Sequence, residues 1–315
     1  MIFALLLNIL LSATHIIPED FEYIQMAIDE SSNGDSIIVM PGNYYENILI
    51  NDKLLSIISS DGPLVTSING NSSGPVILFD SVQDSSALLS GFTITNGTGE
   101  FINGAHYGGG ILSKYSAPKL NNLIISNNTA FAGGGICYYA TQETSNNPII
   151  SNTIIENNFA SEGGGVFCVN HSITIRDSHI KFNGMDMFGS GGGVQALLST
   201  VNFNNVIISD NQTKFGGGVY LASSNGILKN VTIENNLSES RGGGIWIGGG
   251  SNLDVFQSLI SRNHSIGFGG GAFIYSSSLN FSSSTISNNS IDSNVLGAAI
   301  YSDGGNSEII NSIIY

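Results

Sequence analysis

The chain has 315 residues, 40 of them glycine and 6 proline, with 9 Lys and Arg against 24 Asp and Glu for a formal net charge of −15. So acidic a surface offers no counter-charges to a nucleic acid or an anionic lipid face, and both are excluded as partners. Two cysteines, Cys137 and Cys168, are too few for a disulfide framework.

The opening "MIFALLLNILLSAT" is apolar and ends in small residues. It reads as a secretory leader over residues 1–15, too short to span a bilayer, and the rest of the chain contains no transmembrane segment. Residues 16–36 change character. Pro18 precedes an amphipathic set, Phe21, Ile24, Ala27 and Ile28, that stops at Asn33-Gly34. This predicts a short helix laid across the open end of whatever core follows.

Residues 37–315 are dominated by a repeat, irregular from 54 to 107 and regular afterwards. Glycine triplets begin at Gly108, Gly133, Gly163, Gly191, Gly216, Gly242 and Gly269, with a degenerate Gly297-Ala298-Ala299. Isoleucines recur fifteen residues after the third glycine in most copies (Ile125, Ile180, Ile208, Ile233, Ile286). Three residues beyond each isoleucine stands asparagine: Asn128, Asn158, Asn183, Asn211, Asn236, Asn263 and Asn289. Short period-two apolar runs bounded by Gly, Ser and Asn read as strands. The fold class is therefore all-β: a right-handed parallel β-helix of three-strand coils, each about 25–30 residues, with a short N-terminal capping helix. Glycine serves corners that need positive φ or close approach. The asparagines stack into a ladder, and a second polar row (Asn122, Asp177, Asn205, Asn230, Ser283) marks another turn. The chain ends at "NSIIY", partway through a coil.

Candidate chemistry is sparse. The acids past Gly110 occupy different coil positions, so solvated turns account for them, with Glu234 and Asp210, or Glu239 and Arg241, able to approach. The histidines His15, His106, His171, His179 and His264 show no metal-ligand spacing. "HIKFNGMDMFG" sets His179, Met185, Asp186 and Met187 round a long turn, where packed methionines account for the pattern better than copper. No catalytic residue, metal or cofactor is assigned. Ten or more Asn-x-Ser/Thr triplets, among them Asn96, Asn127, Asn211, Asn230 and Asn263, are potential glycan acceptors.

One row stands out, two residues after the third glycine: Leu112, Cys137, Phe167, Gln195, Tyr220, Trp246, Phe273 and Tyr301. The preceding row is aliphatic and suits the core, so alternation turns this one outward. Phe167, Tyr220, Trp246, Phe273 and Tyr301 form a candidate ligand-binding strip for a polysaccharide, a host or cell-surface glycan or a protein. The competing reading is a ring ladder that only stabilises the sheet.

The segment "IQMAIDESSNGDSIIVMPGNYYENI" resembles the N-terminal cap of right-handed β-helices of the pectin-lyase-like superfamily. The coils "ISNN…GGGI" and "IENN…GGGV" resemble the repeats of chlamydial polymorphic outer membrane proteins, with Ile mostly in place of Phe and a third Gly in place of Ala. That resemblance implies an exported, non-catalytic, adhesin-like protein, secreted or displayed at the cell surface in association with an outer membrane. The wider superfamily leaves an alternative open: a lyase- or epimerase-type carbohydrate-active enzyme, or a carbohydrate-binding module. None of the polygalacturonase signatures (Asp-Asp, Gly-His-Gly, Arg-Ile-Lys) occurs.

Overall fold

The computed structural model describes residues 12–81, 86–144, 147–292 and 297–315, excluding the side chains of 185–188. They wind into a parallel β-helix whose coils are joined by strand pairing in register from one to the next.

The first coil is closed by the predicted helix. β1 (Thr14–Ile17) pairs in parallel with β2 (Ser36–Val39), and α1 (Ile24–Glu30) lies between them in sequence. Ile24, Ala27 and Ile28 are buried and join the core, with Phe21 packed beside them. The helix begins without a side-chain cap of its own; instead the Glu46 carboxylate accepts the N–H groups of Ile24 and Gln25, both at 3.0 Å. Two donors that a helix start leaves unpaired are thereby satisfied. Of the segment read as a leader, residues 1–11 lie outside the description, while Thr14 and His15 belong to β1.

Ten strands make one face, one per coil, and those from Ile111–Lys114 to Ile300–Asp303 each follow a glycine triplet or its degenerate copy. A 21-stranded sheet wraps the other two faces, which merge in the ten-residue strands Ser172–Lys181 and Thr200–Ser209. The three-strand coil carries one addition. Between the ladder asparagine and the glycine triplet, five later coils add a short fourth strand, forming a separate sheet from Gly184–Ser190 to Ser290–Ile291. The sequence there is polar, which is why it reads as a loop.

The corners share one device: a residue with left-handed backbone, then an inward residue, which is polar at most corners and apolar at Leu123, Val206 and Val231. At the asparagine corner the left-handed positions are Asn127, Asn157, Phe182, Asp210, Asn235, Arg262 and Asn288. The next residue is the ladder asparagine, at 0–1 % exposure from Asn128 to Asn263. At a second corner, Leu198, Ser223 and Ser276 precede the buried Ser199, Ser224 and Ser277. At the third, Asn152, Asp177, Gln257 and Ser283 precede Thr153, Ser178, Ser258 and Ser284. The inward side chains accept backbone N–H groups of the preceding coil, as in Ser199 N to Ser224 Oγ (3.1 Å) and Thr153 N to Ser178 Oγ (3.1 Å). Apolar coil packing and satisfied buried polar groups thus coexist.

The glycine triplet makes a fourth bend. Its first residue has positive φ, +64° at Gly216, and a Cβ on its third, Gly218, would stand 2.6 Å from the Gly244 carbonyl oxygen of the next coil. A side chain there would force that carbonyl to move. Above this bend the aliphatic row Ile111, Ile136, Val166, Val194, Val219 and Ile245 is fully buried.

A candidate binding strip on the outer face

The outward row is in the expected register. Leu112 lies opposite Cys137, Cys137 opposite Phe167, Phe167 opposite Gln195, and so on through Tyr220, Trp246, Phe273 and Tyr301. Its two halves have different environments. Leu112, Cys137 and Phe167 form a satellite core with Ala132, covered by Tyr107, Ile102 and Tyr139. Part of that roof is an antiparallel hairpin, Glu100–Ile102 with Ala105–Tyr107. Phe167 is 6 % exposed and Phe273 only 1 %. Two of the five strip residues are therefore buried rather than displayed, and Tyr220, Trp246 and Tyr301 remain half-exposed.

Those last four aromatics are stacked. Tyr220 and Trp246 have centroids 4.1 Å apart at 6°, Trp246 and Phe273 are 6.5 Å apart at 11°, and Phe273 and Tyr301 are 5.5 Å apart at 8°. Strand spacing of about 4.8 Å imposes this, since identical rotamers on neighbouring parallel strands bring rings face to face. The fourth strand and the segment after it supply a wall: the Arg241 guanidinium sits 5.1 Å from the Phe273 centroid, and Phe268 packs at 4.7 Å on Tyr301. Ring faces are thus used internally, and the row offers ring edges with two phenol hydroxyls and an indole N–H. Burial, assisted by the nearby Glu162 carboxylate, pushes the Tyr220 phenol up to about 12, so it stays a neutral donor. Gln195, next in the row, donates through Nε2 to Glu162.

Both cysteines are free and buried, on opposite faces of adjacent strands: Cys137 in the satellite cluster, Cys168 in the interior. Their thiols are pushed up by burial, Cys168 to about 12. Among the described residues no group of three His, Cys, Asp or Glu is placed to hold a metal. The side chains of Met185, Asp186 and Met187 lie outside the description.

Charged groups meet in two other places. Glu156 pairs with Lys181 at 3.1 Å, and on the same face His179 Nε2 lies 3.0 Å from Ser209 Oγ. Burial, with Lys181, depresses the His179 pKa against the pull of Asp210, Glu156 and Glu234. Glu234 pairs with Arg262 of the next coil. Farther along, His264 bridges Ser290 Oγ (Nδ1, 2.8 Å) and Asp292 Oδ1 (Nε2, 3.0 Å). That order matches a hydroxyl–imidazole–carboxylate relay, but the N–H groups of Ser290 and Asp292 are spent on Asn263 and Ser265 carbonyls. No free amide pair from these residues faces the hydroxyl to receive an oxyanion, and the trio serves as a clamp between coils. Sequence periodicity passed over it because His264 and Ser290 fall in the fourth strand.

Residues 182–314 match the family described as right handed beta helix region. A segment covering 29 % of this chain is 35 % identical over 106 residues to a cell surface glycoprotein of Methanothermus fervidus. That match spans 18 % of the relative's length. Among solved structures, the A-module of mannuronan C-5 epimerase AlgE4 from Azotobacter vinelandii has 11 % identity and a TM-score of 0.37, covering 93 % of this chain and 92 % of that one. Pectate lyase Pel9A has 11 % identity and a TM-score of 0.32, covering 93 % and 79 %. These two likenesses are distant and assign no activity.

Proposed function

We propose that this right-handed β-helix is an exported, non-catalytic rod displayed at the cell surface, which contacts a polysaccharide, a glycan or a protein along the edge of its aromatic stack. The carrying observation is the in-register run Tyr220, Trp246, Phe273 and Tyr301, three of whose rings remain half-exposed while the Arg241 guanidinium covers the fourth, Phe273. The cell surface glycoprotein relative supports the location, as does the repeat's resemblance to polymorphic outer membrane proteins. Because the faces are already stacked, the ligand is recognised through hydroxyl and N–H donors at the edge rather than by a sugar lying flat on a ring. Trp246 is the sole tryptophan, so its emission reports on the strip. Titrating acidic and neutral polysaccharides shifts that emission, and Tyr220→Ala or Tyr301→Ala weakens the response. A flat response to every ligand, with unchanged cell adhesion in both variants, would leave the stack purely structural.

A second reading, a carbohydrate-active enzyme of lyase or epimerase type, rests on the Glu156–Lys181 pair beside His179. With its pKa depressed, His179 is a neutral base next to a cation, and the adjoining groove is lined by Asn152, Asp177 and Asn205. Incubation with uronate polymers tests it. Unsaturated or epimerised product that disappears in His179→Ala would favour this reading over the first.

A further inference from the structure

The chain contains ten Asn-x-Ser/Thr triplets, and the fold divides them sharply. Asn211, Asn236 and Asn263 are ladder residues at 0 % exposure. Their partner hydroxyls, Thr213, Ser238 and Ser265, are buried as well, at 0–1 %. In Asn236 both amide hydrogens are engaged, on Ile208 O at 2.9 Å and Asn263 Oδ1 at 2.9 Å. A sugar on that nitrogen would replace one of these bonds and need space where the next coil lies.

Asn71, Asn96, Asn127, Asn230 and Asn288 are the opposite case. All five are exposed, and all five have left-handed backbone, with φ between 51° and 61°. Asn170 shares that backbone, φ 58°, but not the exposure, so it is the solvent-facing side chain that sets the five apart. The hydroxyls two residues on are accessible too: Ser73, Thr129 and Ser290 are exposed, Thr98 and Thr232 half-buried. The Asn230 amide is held only by Asn205 Oδ1 at 3.1 Å, in solvent. The remaining two, Asn170 and Asn280, are half-buried, with amides committed to Ala140 O (2.8 Å) and Asp254 Oδ1 (2.9 Å).

We infer that Asn71, Asn96, Asn127, Asn230 and Asn288 are N-glycan attachment sites, and that the ladder triplets stay bare in the folded protein. The inference rests on the surface reading, since such glycans are added along the export route. Three of the five, Asn96, Asn127 and Asn288, share one corner of the helix. Between Asn127 and Asn288 that corner carries Asn157, Phe182, Asp210, Asn235 and Arg262, none of them in an acceptor triplet. That corner would therefore stay free of glycans from Asn157 to Arg262.

Glycopeptide mapping by mass spectrometry of protein isolated from the cells that make it is the test. Sugars are expected at the five sites, and Asn127→Gln and Asn230→Gln should each remove one glycan mass without lowering the melting temperature. A sugar on Asn211, Asn236 or Asn263 in folded protein, or a wholly unglycosylated protein, would overturn the inference. Protease shaving of intact cells reads location independently. Shaved but bare protein sinks this inference alone, whereas protein resistant to shaving sinks the surface reading.

Discussion

The Asn236 carboxamide oxygen accepts two hydrogen bonds from Asn211, one from its backbone N–H and one from its side-chain Nδ2, both at 3.0 Å. Since Asn236 Nδ2 donates to Ile208 O and to Asn263 in turn, a single leucine substitution strands partners on both sides. Asn236→Leu should cost about 3 kcal/mol or more, because each buried polar group left unpaired costs about 1–3 kcal/mol. Chemical denaturation of the variant, beside exposed Asn235→Gly as control, measures this; equal midpoints would reduce the ladder to solvated turns.

Two glycine substitutions separate close approach from backbone strain. Gly218→Ala drives a Cβ to 2.6 Å from the Gly244 carbonyl, whereas Gly250→Ala meets nothing within 4 Å but has φ of +77°. The second should cost only about 1–2 kcal/mol. Gly218→Ala should cost more and disturb pairing in the adjoining coil, visible as faster amide hydrogen exchange around Ile245.

A pH dependence is concentrated at His171, which takes the position that Ser199, Ser224 and Ser277 hold in later coils. Burial pushes its pKa down to about 4, against about 6.5 in the unfolded chain. Between those values the unfolded state binds the extra proton, so this contribution is intact above about pH 6.5 and is lost as pH falls towards 4. The difference amounts to up to about 3 kcal/mol. His171→Ser should flatten the stability–pH curve across this window, and an unchanged slope would contradict the assignment.

The thiols offer a clean readout of burial. Cys137 and Cys168 are both 0 % exposed with raised pKa values, so neither should react with a thiol reagent in native protein, while both react after denaturation. Fast native labelling of either would show the strand register to be misplaced.

Within the stack, Trp246→Ala removes the ring between Tyr220 and Phe273 and should destabilise the protein by about 2 kcal/mol with no ligand present. Trp246→Phe should recover most of that. A neutral Trp246→Ala would mean that the rings are held for binding alone.

The repeat made most of this legible. The ladder asparagines, the inward aliphatics and the outward aromatic row follow from spacing, because a parallel helix converts a constant interval into stacking. What stayed hidden was set by neighbours rather than by period. Alternation turns Phe167 and Phe273 outward, but the hairpin at 100–107 and the Arg241 side chain cover them, and neither belongs to the repeat. The second polar row marks the third corner, but the serine or threonine next to it also suits an ordinary turn, and only burial shows that it points inward. Glu234 and Arg262 meet because one is on a strand and the other at the following coil's corner, a pairing that no fixed interval announces.

At the corners the backbone N–H groups donate forward to the next coil, while the ladder side chains also donate back, as in Asn158 Nδ2 to Ile125 O. Asn128 donates its backbone N–H to Asn158, Asn158 to Asn183, Asn183 to Asn211, and the serine and threonine corners run in the same sense. Each corner is therefore completed from both sides, its N–H by the coil that follows and its side-chain amide by a carbonyl of the coil before. The last coil of a growing stack keeps its corner N–H groups without their inward acceptor until the next coil is laid down. Laying down that coil fills them, so the rod extends one coil at a time from its N-terminal end.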